Sequence, residues 1–153
     1  MNRQLMMAAV VAFLSIVGSQ AQAGCSCATD RVTDGNTNGT NNLTTALTGN
    51  TVCVAKSGGG WENQEQHRND TSLWDYKLGL NHPVDPTTQL GTWSIGNSEV
   101  TYYYYGRAPS TYSVCSSVKK PGNGSVIGFC PSATGASTID ATIKGGATPT
   151  TSC

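Results

Sequence analysis

Charge is scarce in this sequence. Lys and Arg total 9, Asp and Glu total 9, only 12% of residues are charged, and there are just 2 histidines. Recognition of nucleic acid or of an anionic membrane by charge needs clustered Lys and Arg, so neither partner is expected. Titratable groups are too few for most catalytic constellations. Neither G-x-S-x-G nor H-E-x-x-H occurs, and two histidines leave little choice of base for a serine nucleophile. No cofactor and no metal are expected. Internal repeats are lacking, and the one long apolar run lies at the N-terminus.

That run, Leu5 to Gly18, is about 14 residues, against the roughly 20 needed to span a bilayer. Arg3 precedes it and Ala21-Gln22-Ala23, a small-x-small cleavage site, follows it. These are the parts of a secretory signal. The expectation is a signal peptide over 1–23, a mature chain from Gly24, and export to a secreted, periplasmic or cell-surface location without a membrane span. Cys25 lies just past the cut, but Gln22 stands where a lipoprotein signal has an aliphatic residue, so an unlipidated N-terminus is expected. The remaining residues, about 130, suit one domain with a modest core.

Six cysteines remain after processing: Cys25, Cys27, Cys53, Cys115, Cys130 and Cys153. An even number in a small exported domain implies a disulfide framework, and zinc-type C-x2-C pairs are missing. Cys25 and Cys27 are too close to bond to each other without ring strain.

Along the mature chain, residues 24–51 are a loop-rich lead-in dominated by Thr, Asn, Gly and Asp. Within it, Leu43 and Leu47 stand at i, i+4 and could share a helical turn. Residues 132–153 form a Ser/Thr/Gly-rich tail tied back by Cys153. The core domain is assigned to 52–131, with Thr51 to Ala55 as a first short strand.

The most regular stretch is "GTWSIGNSEVTYYYYG". A turn at Gly96-Asn97 pairs Trp93 with Val100 and Ser94 with Glu99. One face then carries Trp93, Ile95, Val100, Tyr102 and Tyr104, and the other Ser94, Glu99, Thr101, Tyr103 and Tyr105. Tyr102 and Tyr104 are expected in the core, Tyr103 and Tyr105 on the surface. A turn through Gly106 to Ser110 brings Tyr112 and Val114 onto the core face. A further turn at Gly122-Asn123 sets Cys115 opposite Cys130, Ser116 opposite Phe129 and Val118 opposite Ile127. A Cys115–Cys130 bridge follows, leaving Cys25–Cys53 with Cys27–Cys153, or Cys25–Cys153 with Cys27–Cys53. Upstream, "WENQEQHRNDTSLWDYKLG" has no apolar helical face over 62–72 and reads as a hairpin turning at Asn69-Asp70. That register pairs Trp61 with Leu78, Glu62 with Lys77, Asn63 with Tyr76 and Glu65 with Trp74. The fold class is therefore all-β: an antiparallel meander of six or seven strands forming a small, disulfide-stapled barrel or sandwich. Gly91-Thr92-Trp93, a hairpin and Val100-Thr101-Tyr102 together resemble a strand of avidin-like and lipocalin-like barrels, and no ligand or site is carried over on those residues.

Two sets of residues could carry function. Glu65 and His67, two apart on a strand, project the same way, as a general acid/base pair requires; Arg107 could hold an anion, and Asp75, His82 and Asp85 could add partners. Tyr103, Tyr105 and Trp61 could form an exposed aromatic platform for a glycan or a surface protein. The leading expectation is an exported binding or structural surface module. The alternative is a small secreted hydrolase using Glu65 and His67.

Overall fold

In the computed structural model, which describes residues 24–35, 42–56, 60–76, 83 and 86–153, the chain forms a closed antiparallel barrel of eight strands in sequence order. The strands are β1 (Asn50–Ala55), β2 (Trp61–His67), β3 (Ser72–Asp75), β4 (Thr88–Gly96), β5 (Glu99–Tyr104), β6 (Ser110–Cys115), β7 (Val126–Cys130) and β8 (Ile139–Gly145). Pairing of β1 with β8 closes the sheet and leaves it without an edge. The expected meander is therefore present, with one strand more than foreseen. The extra strand is β8, drawn from the Ser/Thr/Gly-rich tail: Ile139, Ala141 and Ile143 recur at period two, and Ala141 and Ile143 are buried. The proposed signal, 1–23, lies outside the described residues. Among those described, no helix is long and apolar enough to cross a membrane.

The core is the barrel lumen, filled by Val52, Leu73, Trp93, Val100, Tyr102, Val114, Ile127, Phe129 and Ile143. A short helix, α1 (Asn42–Leu47), closes one end, with Leu43 and Leu47 wholly buried in the same cluster. Asp34 caps it by accepting from the backbone N–H groups of Leu43 at 2.8 Å and Thr44 at 3.1 Å. At the opposite end, where β1, β3, β5 and β7 finish, no helix is present among the described residues.

Turn chemistry moved the registers. In the β4–β5 hairpin the turn residues are Asn97 and Ser98, both with positive φ (54° and 59°), as a two-residue primed turn needs. Trp93 therefore pairs with Tyr102 and Ile95 with Val100. This is a shift of two, so both faces keep their expected residues. The β2–β3 hairpin shifts by one. Its loop is Asn69-Asp70-Thr71, with Thr71 at φ 65°, and the Asp70 carboxylate accepts from the Ser72 N–H at 3.0 Å. Glu65 consequently pairs with Asp75 and Gln66 with Trp74. Trp74 leaves the face expected for it and packs on the outside, with the Arg68 guanidinium 4.0 Å from its ring centre. Asn63 is not opposite Tyr76, whose N–H instead donates to the Gln64 carbonyl at 2.8 Å. The partners expected for Trp61 and Glu62, Leu78 and Lys77, lie outside the described residues.

The Cys115–Cys130 bridge does not form. The disulfides are Cys25–Cys115, Cys27–Cys130 and Cys53–Cys153, so neither expected arrangement of the other four cysteines holds. Gly128, not Cys130, faces Cys115. Both sulfurs point outward, where the lead-in lies across β6: the Val32 N–H donates to Val114 at 2.8 Å and the Ser116 N–H to Asp30 at 3.0 Å. Those bonds end the strand at Cys115, and Val118, expected inside, is exposed. The C-terminal segment covers β1 and β2 in the same way. Gln66, outward-facing yet fully buried, donates to the carbonyls of Thr148 at 2.6 Å and Thr151 at 3.0 Å.

Candidate functional site

Strand β2 alternates, so Asn63, Glu65 and His67 run along the lumen from the end opposite α1 inward. His67 is the deepest and is fully buried. Its Nδ1 lies 3.2 Å from the Glu65 carbonyl, which can only accept, so Nδ1 carries the proton. Nε2 then accepts from the Tyr102 hydroxyl at 2.9 Å, and the Trp93 ring packs edge-on with centroids 5.1 Å apart. Burial pushes the pKa of this imidazole down to about 4. It is a neutral structural group, sealed between two aromatic rings.

Glu65 sits one step nearer the opening, where its Oε1 accepts from the Tyr104 hydroxyl at 2.9 Å. Burial raises its pKa to about 7 against the opposing effect of that bond, and the neighbouring Asp75 charge adds to the rise. Burial, then the Glu65 charge, pushes the Tyr104 phenol well above its ordinary value. Glu65, Asp75, Tyr104, Tyr105, Arg107 and Tyr112 all line a cavity of about 480 Å³ at the barrel mouth, with Asn63, Leu90 and Ser110. A narrower pocket of about 80 Å³ continues inward between Val52, Val54, Tyr102 and Phe129. Comparison of the chain with protein-family models, curated proteins and solved structures finds no match.

The residues singled out in the sequence are thus partly gathered and partly dispersed. Glu65 and Arg107 share the mouth cavity, and Tyr105 joins them from the end of β5. His67 does not line it. Tyr103 is 44% exposed on the outer wall of the barrel, and Trp61, 38% exposed, stands at the mouth end of β2. All three are exposed, and of them Tyr105 alone lines the cavity. Asp75 lines the cavity, while His82 and Asp85 lie outside the described residues. Among the described residues the one cluster with metal-ligand spacing is Cys27, Cys115 and Cys130, whose sulfurs are all in disulfides and offer no thiolate. Sequence reasoning missed Tyr104 and Tyr112 as cavity walls. Their place on the inner face was readable; that the inner face opens at one end was not.

Proposed function

We propose that the protein is an exported, disulfide-stapled β-barrel module that binds a small ligand in the mouth of the barrel. The observation that carries this reading is the difference between the two ends among the described residues: Leu43 and Leu47 fill one, while the other keeps a cavity of about 480 Å³. Concave, aromatic-lined sites with a few converging polar groups are the usual form of small-molecule sites, and barrel mouths are a common place for them. Three disulfides suit an oxidising compartment. Amide chemical shifts recorded while a fragment library is titrated into the mature protein test the reading. Hits should move Glu65, Tyr104, Tyr105 and Ser110 and leave Leu43 and Ser98 still. Shifts centred on Tyr103 would instead move the function to the outer wall, as for a glycan or protein partner.

One observation favours a second reading, a small hydrolase. Glu65, held near a pKa of 7, faces Asp75 across β2–β3, and retaining glycosidases hold two carboxyls about 5–5.5 Å apart. His67, with both nitrogens engaged, has no path to a substrate. Turnover of p-nitrophenyl glycosides that disappears in Glu65→Gln would establish the hydrolase.

A further inference from the structure

The mouth cavity and the narrower pocket behind it share the side chains of Asn63 and Glu65 from β2, Tyr104 from β5 and Tyr112 from β6. These residues make a polar neck. Beyond it the inner pocket is walled by Val52, Val54, Tyr102 and Phe129, and in front of it stand Leu90, Tyr105 and Arg107. At about 80 Å³ the inner pocket is smaller than the roughly 150 Å³ of an engineered cavity that takes benzene, so a single ring fills it and reaches back to the neck.

Hydrogen-bond roles at the neck decide what that ring can carry. The Tyr102 hydroxyl donates to His67 Nε2 at 2.9 Å, and the Tyr104 hydroxyl donates to Glu65 Oε1 at 2.9 Å. Both phenols therefore offer a ligand only lone pairs. An ionised carboxylate also only accepts, and its two oxygens carry about four lone-pair sites, of which Tyr104 uses one. Asn63 and Tyr112 can donate or accept and impose no preference. The neck thus favours a ligand that donates.

The same walls disfavour a charge on the donor. An ammonium would turn its remaining N–H groups toward Val52, Val54 and Phe129, and would bring a second ion out of water. An anion would meet the Glu65 carboxylate. A hydroxyl has one proton to place, and its bond to a carboxylate is charge-assisted.

Resting on the proposed binding at the mouth, we infer that the ligand is an uncharged phenol or aryl alcohol, with its ring in the inner pocket and its hydroxyl donating to Glu65.

The probe is p-cresol at pH 8, above the Glu65 pKa of about 7, so that the carboxyl is mostly ionised while the probe keeps its proton. 4-Methylanisole presents the same ring with a methyl group in place of the hydroxyl proton, and benzyltrimethylammonium and benzoate carry the two signs of charge. Amide-shift titration of the disulfide-bonded protein should show p-cresol moving Val54, Glu65, Tyr102 and Tyr112. It should bind at least about tenfold tighter than each of the other three, as a hydrogen bond to a charged group implies. Glu65→Gln keeps an oxygen to accept from Tyr104 but turns the rest of the group into an N–H donor, so the ratio of p-cresol to 4-methylanisole affinity should fall toward one. A purely structural effect of the change would weaken both probes together and leave their ratio. No binding of p-cresol, equal binding of 4-methylanisole, tighter binding of the ammonium or of benzoate, or an unchanged ratio in Glu65→Gln would overturn the hydroxyl donor. The wild-type comparison does not depend on any variant folding. If library fragments still bind at the mouth in those cases, only the ligand class fails; if none does, the binding reading fails with it.

Discussion

At Glu65 and His67, two neighbouring buried groups drive the pH dependence of stability in opposite directions. Glu65 has a folded pKa raised from 4.5 to about 7, so its contribution is fully present below 4.5 and is lost as pH rises through 7. His67 has a folded pKa lowered from 6.5 to about 4, so its contribution is present above 6.5 and is lost as pH falls toward 4. Between pH 4.5 and 6.5 the two slopes offset each other. Glu65→Gln removes the first. Denaturant unfolding should show this variant more stable than wild type by about 3 kcal/mol at pH 8, with little difference at pH 4. A difference that does not change with pH would mean Glu65 is ionised and well solvated in the folded protein. At Tyr102 the prediction concerns a single hydroxyl. Tyr102→Phe leaves the buried Nε2 of His67 without its donor, at a cost of about 1–3 kcal/mol. Long-range ¹⁵N correlation on wild type should show the proton on Nδ1.

Along β5, alternate residues meet different surroundings, and the tyrosine run shows it. Tyr102 is 4% exposed, Tyr103 is 44% exposed, and Tyr104 faces inward but borders the cavity. Tyr102→Ala should cost about 3–5 kcal/mol, and Tyr103→Ser little, by thermal unfolding. Equal losses would mean that something covers the outer wall. Gly91 on β4 sets a second constraint: a Cβ there would collide with the backbone of Tyr103 and Tyr104. Gly91→Ala should therefore force the strands apart and prevent the β4–β5 pairing seen in amide exchange. These strand faces were legible because period two survives a shift of two residues, which is the error made in both the β4–β5 and β6–β7 hairpins. The β2–β3 hairpin was misread because a three-residue loop with Thr71 left-handed moves the register by one. That single step hid Asp75 as the neighbour of Glu65, and with it the character of the mouth. His67 was legible as an inward residue, but its partner Tyr102 comes from β5, 35 residues away, and no local pattern connects them.

For the whole molecule, the barrel is held from outside by its two ends. The lead-in is fastened over β6 and β7 by Cys25–Cys115 and Cys27–Cys130, and the C-terminal segment over β1 by Cys53–Cys153. Arg31 adds to the first clamp by donating to the carbonyls of Asn97 at 3.2 Å and Ser98 at 3.1 Å, which fixes the lead-in to the β4–β5 turn. The second clamp also buries polar atoms of β2, because the Cys153 N–H donates to the Gln64 side chain at 2.8 Å and Gln66 reaches Thr148 and Thr151. Removing it with Cys53→Ser and Cys153→Ser together frees a loop of about 100 residues in the unfolded chain, where the chain-entropy relation gives about 4–5 kcal/mol. It also exposes Gln66 to water, which can replace its lost partners. Urea unfolding should therefore show a loss of about 2–5 kcal/mol in the double variant. The mouth should be unaffected, because Glu65 and Tyr104 project into the lumen while Gln64 and Gln66 project outward from the same strand. Amide shifts of Tyr104, Tyr105 and Ser110 that match wild type, beside altered shifts at Thr51 and Gln66, would show that stability and binding lie on opposite faces of one sheet. Loss of the mouth shifts in a variant that still unfolds cooperatively would mean instead that the outer clamp shapes the cavity.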